Sequence, residues 1–262
     1  MNRTGRCLRR LMLLMRYAVC RPAPLTAWLG LPVAFIAFSA LTSASVRLML
    51  SADSKLDGLA TLAGMGPSIA GAVMPMTEPV AIIAALLTIR ILTNTATAVP
   101  LFLVEPKRTR LFLALCADIA IIGTTVTAAG ALAATGVSRL ILNPVVPEQA
   151  WPAPLSTALL LCLPVALILA GRMLVAAALC VTLDSAGKGA AAYIALYYLL
   201  PIVVTNLQAP QTLHEWLPSI AGTAILEPKP GISPMLSGAI ALAYAMTAIG
   251  IACIAQKQRD IR

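Results

Sequence analysis

Three ionisable side chains, Glu78, Asp118 and Arg172, fall inside long apolar runs where water is not at hand to solvate a charge. An Arg or Asp at the centre of a membrane helix costs about 2.5–3.5 kcal/mol on the insertion scale, so each is expected to face a partner or water. Two kinds of chemistry fit such groups. In one, Asp118 and Arg172 form structural pairs between helices and Glu78 sits at a hydrated proline kink. In the other, the three serve a transport pathway. Met74 and Met76, with Tyr193, Tyr197 and Tyr198, have the spacing of helix packing or interface anchoring, or of a substrate surface.

Soluble chemistry finds little footing. The run SAGKG at 185–189 approaches a phosphate-binding loop, but Thr182 stands where the pattern needs glycine and Gly189 where it needs Ser or Thr. His214 and Glu215 begin a zinc-hydrolase pattern, yet Pro218 occupies the position of its second histidine and the chain has no other. Cys7, Cys20, Cys116, Cys162, Cys180 and Cys253 include no Cys-x-x-Cys spacing, so neither a disulfide framework nor a zinc site is indicated. No catalytic residue, metal site or bound cofactor is expected, and the chain is not expected to be an enzyme.

The elements that must position these residues follow from composition. Of 262 residues, 60% are hydrophobic and 11% charged, with a mean hydropathy of +0.90. Soluble domains carry roughly 45–50% apolar and 25% charged residues. A bilayer crossing needs about 20 mainly apolar residues. Six stretches qualify, near 28–49, 62–92, 111–134, 155–182, 189–206 and 235–255. They are Leu- and Ala-rich without the alternation of a membrane barrel, so the expected fold is all-α, with 1–262 as a single transmembrane domain.

The net charge of +9 reports topology in such a chain. With the N-terminus inside, Arg3, Arg6, Arg9, Arg10, Arg16, Arg21, Arg90, Lys107, Arg108, Arg110, Lys188, Lys257, Arg259 and Arg262 are cytoplasmic. Arg47, Lys55, Arg139 and Lys229 face out, beside Asp53, Asp57, Glu148, Glu215 and Glu227. The asymmetry predicts a multi-pass protein of the cell membrane with both termini cytoplasmic. The basic cluster has no interleaved aromatics, which argues against nucleic acid as a partner.

Along the chain, residues 1–26 read as a retained cytoplasmic segment. Within it Leu8, Leu11, Met12, Met15 and Val19 have the spacing of the apolar face of an interfacial helix, the alternative being a simple basic flank that sets topology. The second span would measure about 45 Å as a straight helix against a core of about 30 Å. Pro67, Pro75 and Pro79 therefore suggest a kinked, tilted or partly re-entrant segment. Residues 94–110 form the largest internal cytoplasmic segment, the expected docking surface. Residues 183–190 read as a tight turn explained by its glycines. The stretch 217–226 is too short to span and suggests an interfacial or re-entrant helix.

The segment NTATAVPLFLVEPKRTRLFLALCADI resembles the six-helix permease subunits of ATP-binding-cassette type 2 exporters. Bacterial members often carry Glu-Tyr-Arg-x-Gly-Thr followed by Pro-Arg-Arg. Thr97, Pro106, Lys107 and Arg108 match parts of that pattern, while Leu92, Thr93 and Ala96 replace its glutamate, tyrosine and glycine. Leu217, Pro218, Ser219 and Gly222 are similar to the family's Leu-Pro-Ser-x-x-Gly stretch between the last two spans. The resemblance implies a permease that forms the export pathway with a second permease subunit, identical or paralogous. It also implies that ATP is used by separate cytoplasmic ATPase subunits. Glu105, Lys107, Arg108 and Arg110 are then the candidate contacts to the ATPase, or else anchors at the start of the third span. A secondary transporter and a non-catalytic membrane scaffold or immunity-type protein are the alternatives.

Overall fold

The computed structural model describes residues 21–52, 66–93, 107–144, 155–207, 210, 214, 216–220, 222–226 and 233–260. Among them are helices α1 (Pro22–Ala52), α2 (Gly66–Ile89), α3 (Arg108–Leu142), α4 (Leu155–Thr182), α5 (Ala186–Ile194), α6 (Leu200–Asn206) and α7 (Pro234–Asp260). A 3-10 turn, Arg90–Leu92, extends α2, and a π-helical turn, Ala195–Leu199, joins α5 to α6. No strand occurs among the described residues. Six segments are long and apolar enough to cross a bilayer: Pro22–Met49, Gly71–Leu92, Arg108–Leu142, Cys162–Thr182, Ala186–Asn206 and Pro234–Arg259. The protein is an all-α, multi-pass membrane protein.

Several boundaries differ from the sequence reading, among them the third crossing, which runs from Arg108 to Leu142 rather than from about 111 to 134, and the fifth, which begins at Ala186 rather than near 189. The first crossing begins at Pro22 rather than near residue 28, because proline is well suited to the first helical position, where no N–H is needed. In the second crossing, α2 is one helix from Gly66 to Ile89 with Pro75 and Pro79 inside it, and Pro67 falls in the first turn, where it costs nothing. Its 24 residues rise about 36 Å, which tilt accommodates without re-entry. The interfacial helix expected at 8–19 and the stretch 94–106 of the docking segment lie outside the described residues.

The chain divides into two compact units. One comprises Ala27–Ala81 and Gly123–Leu169. Here α1 buries Trp28, Leu31, Phe35, Ser39 and Ser43 along one face, and α3 presents Gly130, Ala134 and Ser138 at four-residue spacing. A Cβ on Gly130 would come within 3.1 Å of both the Pro32 Cα and the Phe35 ring, so the helices cross where glycine lets backbones approach. The Ser39 hydroxyl donates to the Ala134 carbonyl at 3.0 Å and lies 2.6 Å from the Ser138 hydroxyl. Arg47 reaches the Ile141 carbonyl at 3.4 Å in the last turn of α3, which brings the C-terminal ends of α1 and α3 together. The other face of α1 exposes Leu29, Val33, Leu41 and Leu48, as a lipid-facing surface should.

The second unit is built mainly from Ile82–Ile122 and Ala170–Arg262. At its centre α4 and α5 form a hairpin. The amide of Ser185 donates to the Cys180 carbonyl at 3.2 Å and that of Asp184 to the Val181 carbonyl at 3.4 Å, the two bonds of a Schellman stop. Asp184 takes the left-handed position, at φ 54°, that glycine usually fills. Ser185 then caps α5, its hydroxyl accepting from the Lys188 amide at 3.4 Å. The glycines therefore do not make this turn. Gly189 serves packing instead, because a Cβ there would stand 2.5 Å from the Cys180 Cα.

Arg259 near the end of α7 closes the hairpin tip. Its guanidinium donates to the Val181 and Thr182 carbonyls at 3.2 and 3.4 Å and pairs with Asp184 at 3.0 Å. These carbonyls belong to the last turn of α4, where a cation meets the negative end of the helix dipole. The C-terminal ends of α4 and α7 thus lie on one side, as alternating crossings require.

Candidate functional site

The second unit places polar groups at mid-helix. Arg172, buried on α4, lies ten residues before the helix ends at Thr182, about 15 Å along the axis. Tyr197 follows the start of α5 by eleven residues, a similar rise from the same end of the hairpin. The two meet: the Arg172 guanidinium carbon stands 5.5 Å from the Tyr197 ring centroid, a cation–π contact. Tyr193, one turn earlier and also buried, stacks on Tyr197 with centroids 4.4 Å apart.

The π-helical turn that carries Tyr197 has a local cause. Pro201 has no N–H to offer the Tyr197 carbonyl, and the ladder widens so that the Leu200 amide donates to the Ala195 carbonyl. Tyr197 is thereby held buried while Tyr198 is exposed.

Arg172 also reaches a segment far along the chain. Its Nη2 donates to the Ser219 carbonyl at 2.6 Å. Ser219 lies in the connection between the fifth and sixth crossings, which must leave the bundle at the end opposite the hairpin tip. A bond from the middle of α4 requires that the connection fold back inward. Two further contacts trace its path. Tyr244, ten residues into α7, donates to the Trp216 carbonyl at 2.7 Å, and Ser237, in the first turn of α7, accepts from the Gly222 amide at 2.9 Å. Among the described residues of the connection, Trp216 and Ser219 thus lie against the middle of the helices and Gly222, at φ 87°, against the start of α7. A short 3-10 turn, Thr223–Ile225, follows, with the Ile225 Cδ1 3.1 Å from where a Gly238 Cβ would be. The sequence reading of 217–226 as a short interfacial or re-entrant helix is corrected in its local structure: its described residues form turns and one 3-10 element, packed against α4 and α7.

Asp118 sits ten residues into α3, completely buried, and neither carboxyl oxygen has a hydrogen-bond partner among the described residues. Asp118 and Arg172 therefore do not form the pair that the sequence suggested. Glu78 is buried on α2 in the first unit, in the turn between Pro75 and Pro79, where Thr77 also bonds back to the Met74 carbonyl at 3.0 Å.

Of the four docking candidates, Glu105 lies outside the described residues. Lys107 is exposed immediately before α3, and its carbonyl accepts from the Arg110 and Leu111 amides, both at 3.1 Å. Arg108 is half-buried and Arg110 exposed in the first turn. Three cations at a helix start oppose the dipole, and that turn carries no acidic residue, so helix stability does not account for them. Among the described residues no three His, Cys, Asp or Glu side chains converge as metal ligands.

Sequence reasoning missed the contact between Arg172 and Ser219. Arg172 and the Leu217-Pro218-Ser219 stretch were each conspicuous, but nothing in the spacing joins residues 47 apart. Tyr193 and Tyr197, at i and i+4, carried a usable signal for a shared face. No family model, curated protein or solved structure matches this chain.

Proposed function

We propose that this chain is the membrane-spanning permease subunit of an exporter of the ATP-binding-cassette type 2 class, powered by a separate ATPase. The observation that carries the reading is the connection between the fifth and sixth crossings. It bears the Leu217-Pro218-Ser219 and Gly222 pattern and folds back into the second unit against Arg172 and Tyr244. Six crossings support it. So does the basic start of α3 behind Pro106, where Lys107 and Arg110 are exposed and carry the charge that a partner's carboxylates would pair with. On this reading both termini face the cytoplasm of the cell membrane, and a second permease subunit completes the pathway.

The test is copurification from the native cell after mild solubilisation, followed by reconstitution. The reading requires an ATPase subunit bound to the tagged chain and transport that depends on ATP. Absence of both overturns it. One observation, the buried Asp118 without a hydrogen-bond partner among the described residues, favours secondary transport instead. That reading requires movement of substrate driven by an ion gradient with no nucleotide present.

A further inference from the structure

The mid-helix polar groups of the second unit are unequally satisfied. Arg172 has a carbonyl at 2.6 Å and an aromatic face at 5.5 Å. Asp118 has full burial and, among the described residues, no donor for either oxygen. Its neighbours on α3 include the buried Leu115 and Ile119, which offer it nothing polar. The Cys116 thiol two residues earlier is in electrostatic contact with it and with Cys253 on α7. No charged side chain among the described residues pairs with it.

An ionised carboxylate so placed would have neither water nor a counter-charge. In such surroundings a carboxyl neutralises rather than remain charged. Among the described residues no set of metal-ligating side chains gathers around it. What a carboxyl takes up in order to neutralise is a proton.

We propose that Asp118 is a proton-binding site, occupied while α3 is packed as seen here and emptied when rearrangement admits water to it. On uptake one O–H bond of a hydronium ion breaks, leaving water, and one forms at a carboxylate oxygen; release to water reverses both, with no change in oxidation state. A transition that hydrates Asp118 then moves one proton between the interior and the aqueous face it opens to. The inference stands on burial and missing donors, and does not depend on an ATPase partner.

The test is infrared spectroscopy of the full-length chain in lipid vesicles at neutral pH, reading the carbonyl band of protonated carboxylic acids. Asp118→Asn preserves the shape of the neutral acid, and the band expected in the wild type should be lost from it. Should the variant not fold, wild-type protein grown on carboxyl-13C aspartate decides the matter, because a band arising from aspartate shifts. Asp184, the other Asp whose burial is described, is exposed and should not contribute. A band unchanged by both the substitution and the label, or no band at all, overturns the proposal. A reconstituted protein that binds no ATPase but shows the band would refute the permease reading alone.

Discussion

The guanidinium of Arg172 holds the carbonyl of Ser219, 47 residues later, at 2.6 Å, and lies over the ring of Tyr197. One side chain thereby joins the fourth crossing, the fifth crossing and the connection that leads to the sixth. A charge-assisted bond to a carbonyl contributes about 1.5–3 kcal/mol. Arg172→Ala should therefore lower the thermal unfolding temperature in detergent and raise amide exchange selectively across 216–226. Arg172→Lys keeps the charge but not the planar group that stacks, so it should recover only part of the protection. Unchanged exchange in the alanine variant would rule out the tether.

Gly189 and Gly136 make a matched pair. A Cβ at Gly189 would meet the Cys180 backbone at 2.5 Å, whereas nothing lies within 4 Å of one at Gly136. Gly189→Ala should cost about 1–3 kcal/mol or more by forcing α4 and α5 apart. Gly136→Ala should be neutral or gain up to about 1 kcal/mol from helix propensity. Chemical unfolding of both in the same detergent reads the difference.

At the hairpin tip the two members of an ion pair are predicted to be unequal. Asp184 is 62% exposed, and exposed pairs contribute about 0–1 kcal/mol, so Asp184→Asn should change stability little. Asp184→Gly exchanges the pair for relief at a positive φ and should be close to neutral. Arg259→Ala also strips a donor from the Val181 and Thr182 carbonyls and should destabilise more than either. Equal effects of Asp184→Asn and Arg259→Ala would refute the capping role.

Charge reversal of Lys107, Arg108 and Arg110 together should abolish copurification of an ATPase while leaving membrane insertion and the melting temperature unchanged. Acidic residues at the start of α3 suit the helix dipole better than the present cations, so a loss of fold is not the expected cause. Association that survives the reversal would move the docking site elsewhere.

Much of the fold was readable because membrane crossings are written in length and hydropathy. The six spans follow from runs long enough to cross, while the turn expected over 183–190 is shorter, 183–185, because α5 already begins at Ala186, and run length alone left the course of 217–226 open. At α2 the prolines left a kinked, a tilted and a partly re-entrant segment open; the structure has one helix from Gly66 to Ile89, with Pro67 in its first turn and Pro75 and Pro79 inside it. Glycines misled at the turn, where Asp184 takes the left-handed position and Gly189 is needed for its missing side chain. The partners of Arg172 and the lack of a hydrogen-bond partner for Asp118 among the described residues were not readable, since hydropathy says that a charge is buried and not what faces it.

The contacts of Arg259, Tyr244 and Arg172 close a ring. From the tip of α4 it passes through Arg259 into α7, through Tyr244 to Trp216, along the chain to Ser219, and through Arg172 back to α4. Pulling on the hairpin tip therefore strains the linkage at mid-helix, and loosening any one of the three side chains slackens the other two joints. The protein has in effect a drawstring, with its knot at the charged end and its loop around the folded-back connection.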